Sequence, residues 1–321
     1  MSRVAIRKAQ PTPGDAHVNA PLTNISVAFL LADELYVADK VFPAVPVAKQ
    51  SDLFYEYSKE DFLRDEARPR APGTESAGGG FGLSTKSYSC VVEAYHKDVD
   101  DQLRSNADSV LQLDRAATEF VTQKLMIRRE RRWATSFFAS GIWGTDFTPG
   151  TLWSAANSTP RQDVDTAKET ILQNTGLVAN TAVMGVQVFK ALRSHADVRD
   201  QFKYTSADSI DEQMLARFFG LERVLVAKAI YNSAIEGAAG SYAFIAGKHC
   251  LICHTTPSPS VMTPTAGYQF VWSGLVGSSN GMRIKRFRME HLESDRIEGQ
   301  MAYDMKVVAS ACGYFFASVV A

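Results

Sequence analysis

Residues 51–96 contain two strand-like segments joined by an unusually long connection, and this arrangement restricts the fold more than any other part of the sequence. SDLFYEYSK at 51–59 and LSTKSYSCVVEAYH at 83–96 flank a segment with two prolines and five glycines. Connections within compact domains are mostly about four to six residues long, and an isolated two-stranded ribbon is marginally stable in water. The sequence therefore predicts a ribbon with a flexible tip that lies against a neighbouring molecule. The aromatic side chains expected to make these contacts are Phe54, Tyr55, Tyr57, Phe62 and Phe81.

The charge balance limits which partners the whole chain can attract. Its 321 residues carry 34 Lys and Arg against 35 Asp and Glu, a formal net charge of −1. A dedicated DNA-binding domain normally has a clear basic excess, because phosphate contacts dominate its affinity. The near-neutral charge favours neutral partners or copies of the same chain over a tight nucleic-acid complex.

Few features point to export or to a membrane. Four cysteines in so long a chain do not form a disulfide framework. The N-terminal residues include basic side chains but no apolar core of a signal peptide. No run approaches 18 apolar residues, the length that would predict a membrane span. These patterns are typical of a soluble protein made in a reducing cytoplasm.

Residues 113–139 form the strongest predicted helix, which we call the spine helix. Apolar side chains are expected on one arc of it, and Glu119, Gln123 and Glu130 interrupt that arc. The expected apolar residues are Ala116, Phe120, Met126, Ile127, Trp133, Ala134, Phe137 and Phe138. Arg128, Arg129, Arg131 and Arg132 are expected on the opposite side, facing away from the core.

The N-terminal and central segments differ in composition. Residues 1–24 are polar and contain three prolines, so we expect an extended arm that becomes ordered only against another surface. Pro43 and Pro46 lack amide donors and predict an edge strand. Helices are expected at 160–175, where Gly176 ends the helix, at 186–198, and after a Ser209–Glu212 capping box up to Gly220. Strands at 181–185, 222–232 and 241–256 complete a mixed region, and two further strands follow at 281–290 and 300–310.

The sequence HCLICH at residues 249–254 is the one motif that could carry redox or metal chemistry. It contains the Cys-x-x-Cys-His pattern of covalent haem attachment. The flanking residues predict a strand that runs into a loop, and residues three apart on a strand face opposite sides. Cys250 and Cys253 are therefore expected to be structural, and we predict no catalytic, cofactor-binding or metal-binding residue.

The order of parts resembles the major capsid proteins of tailed bacteriophages, which have the Hong Kong 97-type coat fold. VNAPLTNISVAFLLADELYVADKVFPAVPVAKQSDLFYEYSKEDFLRDE and VEAYHKDVDDQLRSNAD are similar to segments of that family. The resemblance implies an α+β fold with a mixed axial domain and a peripheral domain that carries the spine helix. It implies an N-terminal arm at 1–50, an extended two-stranded loop at 51–96, the peripheral domain at 97–145 and 271–321, and the axial domain at 146–270.

The resemblance also implies a function and partners. Coats of this family assemble as pentamers and hexamers into an icosahedral shell that encloses double-stranded DNA, without enzyme activity and without a cofactor. Arg128, Arg129, Arg131 and Arg132 would then face the packaged DNA and contact it weakly and without sequence specificity. Separate scaffolding, portal and decoration proteins are the further partners implied. The location implied is the virion, after assembly in the host bacterial cytoplasm, with no membrane contact.

Two alternatives stay open on the sequence alone. An encapsulin compartment would share the fold and enclose a cargo enzyme instead of DNA. A small redox protein built on the HCLICH motif would belong to the enzyme class.

Overall fold

The computed structural model describes residues 32–57, 59–107, 112–202, 210–256, 264–276 and 281–321. The predicted arm at residues 1–24 lies outside the described residues. The helices are α1 Ala38–Val41, α2 Lys59–Phe62, α3 Asp101–Asn106, α4 Leu113–Phe137, α5 Pro160–Thr175, α6 Val186–Ser194, α7 Ala196–Phe202, α8 Glu212–Phe219 and α9 Ser273–Val276. The first strands are β1 Ala44–Val47, β2 Ser51–Tyr57, β3 Leu83–Ser89, β4 Val91–Asp100, β5 Thr145–Phe147, β6 Thr181–Gly185 and β7 Arg223–Ala227. They are followed by β8 Ile230–Asn232, β9 Tyr242–Phe244, β10 Cys250–Cys253, β11 Gly267–Trp272, β12 Met282–Met289, β13 Ser294–Val307 and β14 Gly313–Phe316.

The first five-stranded sheet is built around the long strand β13. One side of β13 pairs with β12 and then with β11, and its other side pairs with β4, all antiparallel. β1 is added in parallel next to β11 and has no further neighbour in this sheet. The edge position predicted from Pro43 and Pro46 is therefore confirmed.

The spine helix α4 packs across β4 and β13 of this sheet. Its predicted start at Leu113 is confirmed and it ends two residues before the predicted end, so its 25 residues span about 37 Å. Gly299 of β13 permits the close approach, because a Cβ there would lie 2.6 Å from Val121 and 2.7 Å from Leu125. The predicted apolar arc is wrong in its first half, where Ala116 and Phe120 are exposed. The stripe buried there consists of Ala117, Val121 and Leu125, one position further along the helix.

The second five-stranded sheet has the order β5, β14, β10, β6 and β7. Every residue of β6 and β10 is buried. Helices α5, α6 and α8 cover it through a cluster that includes Ile171, Leu192 and Leu215. β14 lies between β5 and β10, so the end of the described chain returns to this sheet after completing the first one.

The helices of this mixed region end largely as predicted. Gly176 and Gly220 adopt the left-handed conformation that follows the last turn, with φ values of 71° and 63°. The N-terminus of α8 is capped by Asp211, whose side chain accepts from the Met214 amide, while the expected cap Ser209 lies outside the described residues. The helix predicted at 186–198 is divided into α6 and α7 at His195.

The predicted ribbon is present as the antiparallel pair β2 and β3, in register from Ser51 opposite Ser89 to Tyr57 opposite Leu83. The strand predicted over 83–96 is two strands, β3 and β4, which are separated at Cys90, and the Cys90 amide still donates to the Gln50 carbonyl at the base of the ribbon. β4 beyond it belongs to the first sheet. A second hairpin, β8 with β9, extends from the end of β7.

Candidate assembly surfaces

An aromatic cluster lies at the outer end of the ribbon. The ring centroids of Tyr57, Phe62 and Phe81 are 5.3 to 5.9 Å apart. Phe62 is 52% exposed and Phe81 is 60% exposed, so the cluster is open to solvent on its outer side. The Asp61 carboxylate accepts from the Gly82 amide at 2.8 Å and brings the two ends of the connection together. The tip thus presents a preformed apolar surface with no covering layer among the described residues.

The base of the ribbon is held by its own chain. Phe54 lies 5.2 Å from Phe270 of β11, and Tyr88 stacks on the same ring at 4.6 Å. Phe54 is therefore half-buried within the subunit, whereas Tyr55 on the other face is exposed. Phe54 and Tyr55 were both expected to contact another subunit, because the sequence does not show that the distant Phe270 packs against Phe54.

The four arginines of the spine helix do not share one face, which corrects the expectation for Arg129. Arg129 is 5% exposed and its guanidinium lies 3.3 Å from the Asp39 carboxylate. One helical residue corresponds to 100°, so Arg129 is rotated from Arg128 toward the buried stripe. A buried, paired guanidinium cannot reach a ligand outside the subunit.

The remaining arginines differ in how firmly the subunit holds them. Arg132 is partly buried, 3.4 Å from the Asp304 carboxylate and above the ring of Tyr303. Arg128 is exposed and pairs with Glu93 at 3.1 Å. Arg131 is exposed and stacks 4.1 Å from the centre of the Tyr231 ring. Lys124, which the sequence analysis did not select, is also exposed, one turn before Arg128. The exposed basic stripe of the helix is thus Lys124, Arg128 and Arg131.

A buried serine–histidine contact in the mixed region resembles a nucleophile with its base only in its distances. Ser158 Oγ lies 3.0 Å from His195 Nε2, and an Asp197 carboxylate oxygen lies 3.8 Å from His195 Nδ1. The Ser158 hydroxyl already donates its single proton to the Ala155 carbonyl, and His195 Nδ1 accepts from the Asp197 amide. The histidine must therefore donate to the serine, which is the reverse of what activation of a nucleophile requires. The contact instead joins the break between α6 and α7 to the start of α5.

The cysteines of the HCLICH motif point into two different cores. Cys250 packs among Met184 and Phe316, while Cys253 packs in the core below the spine helix. Burial raises the pKa of Cys250 above its usual range and that of Cys253 to about 12, so both remain protonated thiols. The predicted opposite orientation is confirmed. This arrangement does not allow one metal ion or one haem to be bound by both sulfurs.

The described residues contain no metal-binding cluster. Within those ranges, no group of three or more His, Cys, Asp or Glu side chains is arranged to hold a metal ion. No described helix combines the length and apolar character that crossing a membrane requires.

Comparison with known proteins finds similarity to phage capsid proteins. Residues 140–264 match the family model of phage major capsid protein E. The major capsid protein of Burkholderia phage BcepMu is 24% identical over 221 residues, which are 67% of this chain and 70% of that protein. The resemblance inferred from the order of parts is confirmed.

Solved structures show the fold of this chain. A phage-related protein from Bordetella bronchiseptica RB50 is 21% identical, with a TM-score of 0.69 over 90% of this chain and 93% of that one. The capsid structure of cyanophage P-SCSP1u gives a TM-score of 0.60 at 10% identity, over 94% and 93% of the two chains. The fold is the Hong Kong 97-type coat fold.

The same fold occurs in an encapsulin. The holo-SrpI encapsulin complex from Synechococcus elongatus PCC 7942 gives a TM-score of 0.58 at 10% identity, over 94% and 92% of the two chains. Backbone similarity alone therefore does not separate a DNA-filled shell from an enzyme-filled one. The two sequence matches reported above are both to phage capsid proteins.

Proposed function

We propose that this chain is a phage capsid protein that self-assembles, as pentamers and hexamers, into the icosahedral head of a tailed double-stranded DNA phage, and that it has no enzyme activity. The observation that carries the proposal is the open aromatic cluster of Tyr57, Phe62 and Phe81 at the outer end of the ribbon. A monomer gains nothing from leaving apolar rings in water, whereas a lattice can bury them against the next copy. Full burial of an exposed phenylalanine contributes about 1.5–3 kcal/mol, and Phe62 and Phe81 are about half exposed, so an interface gains roughly half of that at each.

The proposal keeps the division into an arm at 1–50, a loop at 51–96, a peripheral domain at 97–145 with 271–321, and an axial domain at 146–270. The two sheets fit this division except where strands cross its boundaries. The sheet of the spine helix also contains β1 from the arm, the start of β4 from the loop, and β11, which begins at Gly267. β14 lies in the second five-stranded sheet, here called the axial sheet.

Weak contact with packaged DNA belongs to the same proposal. Arg128 and Arg131 are exposed and lie on one side of the spine helix together with Lys124. Arg132 is partly buried beside Asp304, and Arg129 is buried. A few cations on a nearly neutral chain make a wall that does not repel DNA, without binding it tightly.

Further partners are proposed from the family resemblance. Separate scaffolding and portal proteins would guide assembly in the host bacterial cytoplasm, and decoration proteins would bind the finished shell. The mature location would be the virion.

Particles from lysed host cells test the function directly. Electron microscopy should show closed icosahedral shells built from this chain, and nuclease-treated particles should retain double-stranded DNA. Shells that contain a co-purifying enzyme and no DNA would support the encapsulin alternative instead. A monomer with visible haem absorbance would overturn the shell proposal altogether.

A further inference from the structure

Strand β4 forms an open edge of the first sheet. One of its sides pairs with β13, and no described strand pairs with its other side. The side chains of Val91, Val92 and Tyr95 on this strand are 48%, 40% and 42% exposed. An edge strand with unpaired backbone groups and apolar side chains is a template for pairing with another chain.

The edge strands β1 and β12 of this sheet carry features that oppose strand addition, and the first half of β4 does not. β1 contains Pro46, which has no amide to donate. β12 contains Lys285, Arg286 and Arg288, and charged side chains protect an edge from pairing. Residues 91–96 of β4, VVEAYH, contain no proline, lysine or arginine. This part of β4 is therefore open to another strand.

The outward backbone groups of β4 follow from its register with β13. Asp100 lies opposite Ser294, and the amide of the next residue, Asp101, donates to the Glu293 carbonyl. In an antiparallel ladder the bonded pairs recur at every second residue. Odd-numbered residues of β4 therefore bond to β13. The amides and carbonyls that point outward belong to Val92, Ala94, His96 and Asp98.

We propose that two copies of this chain pair their β4 strands antiparallel about a twofold axis at Tyr95, which joins two five-stranded sheets into one. The outward groups of each copy then bond to those of the other, because even-numbered residues lie opposite even-numbered residues. The interface is isologous, so each copy gives and receives the same contacts. It goes beyond the proposed pentamers and hexamers, whose neighbouring subunits are related by fivefold and sixfold rotations, and it needs only two subunits.

Charge complementarity selects the position of the axis. With the axis at Tyr95, Glu93 of each copy lies directly opposite Lys97 of the other copy. Glu93 lies on the sheet face that α4 covers, since its carboxylate is 3.1 Å from the Arg128 guanidinium. Lys97, four residues further along the strand, projects from the same face. Moving the axis by one residue in either direction sets Glu93 opposite an uncharged residue.

The spine helices add a second layer to this interface. α4 lies over β4 and β13, and neighbouring strands are about 4.8 Å apart. The helices of the two copies therefore pass each other antiparallel at about 10 Å, a usual packing distance. Phe120 of α4 is 40% exposed, and its ring lies 5.9 Å from the Tyr95 ring. The second copy thus covers Phe120 and the exposed Ala116 one turn before it, which a single subunit leaves in water.

The contact is weak between two free subunits. One strand and one side of a helix from each copy form a small interface, and interfaces below about 1,200 Å² are typical of transient complexes. Dilute subunits should therefore stay monomeric, and the pairing should accumulate at high concentration or in a shell.

A disulfide at the twofold axis tests the pairing. The residues at position 95 of the two copies form a non-hydrogen-bonded pair with Cα atoms about 4.5 Å apart, which is within the range of a disulfide. Tyr95→Cys should therefore give disulfide-linked dimers from most chains when shells, or concentrated subunits, are treated with oxidised glutathione. The four native cysteines are buried and do not compete.

Val92→Cys is the matched control for this crosslink. Val92 is nearly as exposed as Tyr95 and lies on the same strand. In the paired strands it lies about 20 Å from its counterpart, so this variant should give no dimers.

A backbone variant shows whether the crosslink depends on strand pairing. Ala94→Pro removes an outward amide and leaves the ladder with β13 intact. Added to Tyr95→Cys, it should abolish the dimers while the subunit keeps its circular dichroism. Should Tyr95→Cys not fold, Lys97→Glu sets two carboxylates opposite each other and should raise the concentration needed for assembly well above that of Lys97→Gln.

Three results would overturn the twofold contact. They are a lack of Tyr95→Cys dimers in closed shells or, if no shells form, in concentrated subunits, dimers that persist with Ala94→Pro, and equal assembly of Lys97→Glu and Lys97→Gln. Closed shells without the crosslink would leave the proposed shell function intact. Crosslinked subunits that never form shells would support the contact and contradict that function.

Discussion

The ribbon tip and the axial sheet both carry apolar side chains, with opposite results. In β6 and β10 every residue is buried, because helices on one side and the core under the spine helix on the other cover both faces. In β3 only Tyr88, near the base, is buried among seven residues. The difference arises from the number of layers, since no described part of the subunit covers the tip of the two-stranded ribbon. The axial sheet is covered within one subunit, and the tip is left open by its own chain.

This comparison predicts different effects of mutation in the two regions. Changes in the axial sheet should lower the free energy of unfolding of the subunit. Changes at the tip should leave that energy nearly unchanged and weaken the contacts between subunits, because no covering layer is lost from the monomer.

Deletion of residues 62–82 should have the largest effect on assembly. The deletion leaves β2 and β3 joined by a short turn and removes Phe62 and Phe81, the two exposed phenylalanines of the tip. We expect a folded, soluble monomer that builds no shells, measured by circular dichroism, size-exclusion chromatography and electron microscopy.

A shorter deletion provides the control for tip length. Removing residues 73–80 retains Phe62 and Phe81 while shortening the connection, so assembly should persist. Closed particles of normal size from the 62–82 deletion would show that the tip is not an assembly surface.

The same substitution in both regions gives the sharpest contrast. Phe316→Ala, in the buried end of β14, should lower the free energy of unfolding by about 3–5 kcal/mol. Phe81→Ala should change it by less than about 0.5 kcal/mol and should reduce the yield of shells. Chemical denaturation of the monomer measures the first effect, and light scattering of assembly measures the second. Equal losses of unfolding free energy in the two variants would contradict the expected difference between the axial sheet and the ribbon tip.

The arginines extend the contrast to the spine helix. Arg129→Gln removes a buried charge from its pair with Asp39 and should cost about 1–3 kcal/mol of subunit stability. Arg128→Gln with Arg131→Gln should cost less than about 1 kcal/mol and should lower the DNA retained in particles. Unchanged DNA content in shells of the double variant would argue against a DNA-facing stripe.

The smallest effect is expected at the HCLICH motif. Cys250→Ala with Cys253→Ala should assemble normally and cost about 1 kcal/mol at each site, because both thiols only fill space. Cys→Ser changes are less suitable, since they place a hydroxyl in an apolar core. Elemental analysis of wild-type shells should find no stoichiometric zinc or iron. One metal ion per subunit would return the motif to consideration as a functional site.

Local patterns in the sequence predict the elements well where local chemistry decides them. The spine helix, the two ribbon strands and the glycine-terminated helices α5 and α8 follow from periodicity and turn residues. The apolar arc of the spine helix is shifted because Phe120 is the residue left facing water. Periodicity cannot tell which of two adjacent arcs the sheet covers.

The site residues depend on contacts that are distant in sequence. Arg129 forms a buried ion pair with Asp39, and the ring of Phe54 packs against the ring of Phe270. Glu130 interrupts the expected apolar arc in the sequence, which is a visible signal, yet its partners are backbone amides more than ninety residues earlier. Neither amphipathic patterns nor motifs contain such pairings.

The position of β14 has a consequence for synthesis on the ribosome. β14 fills the place between β5 and β10, although three strands of the first sheet, β11, β12 and β13, are translated between β10 and β14. The axial sheet therefore has an open gap while these strands emerge, and the edge of β10 that β14 covers remains unpaired during that time. Domains of many proteins fold one after another as they are made, but here the axial sheet can close only after the last strand of the first sheet has been made. We therefore expect nascent chains to become able to assemble only once β14 has been added.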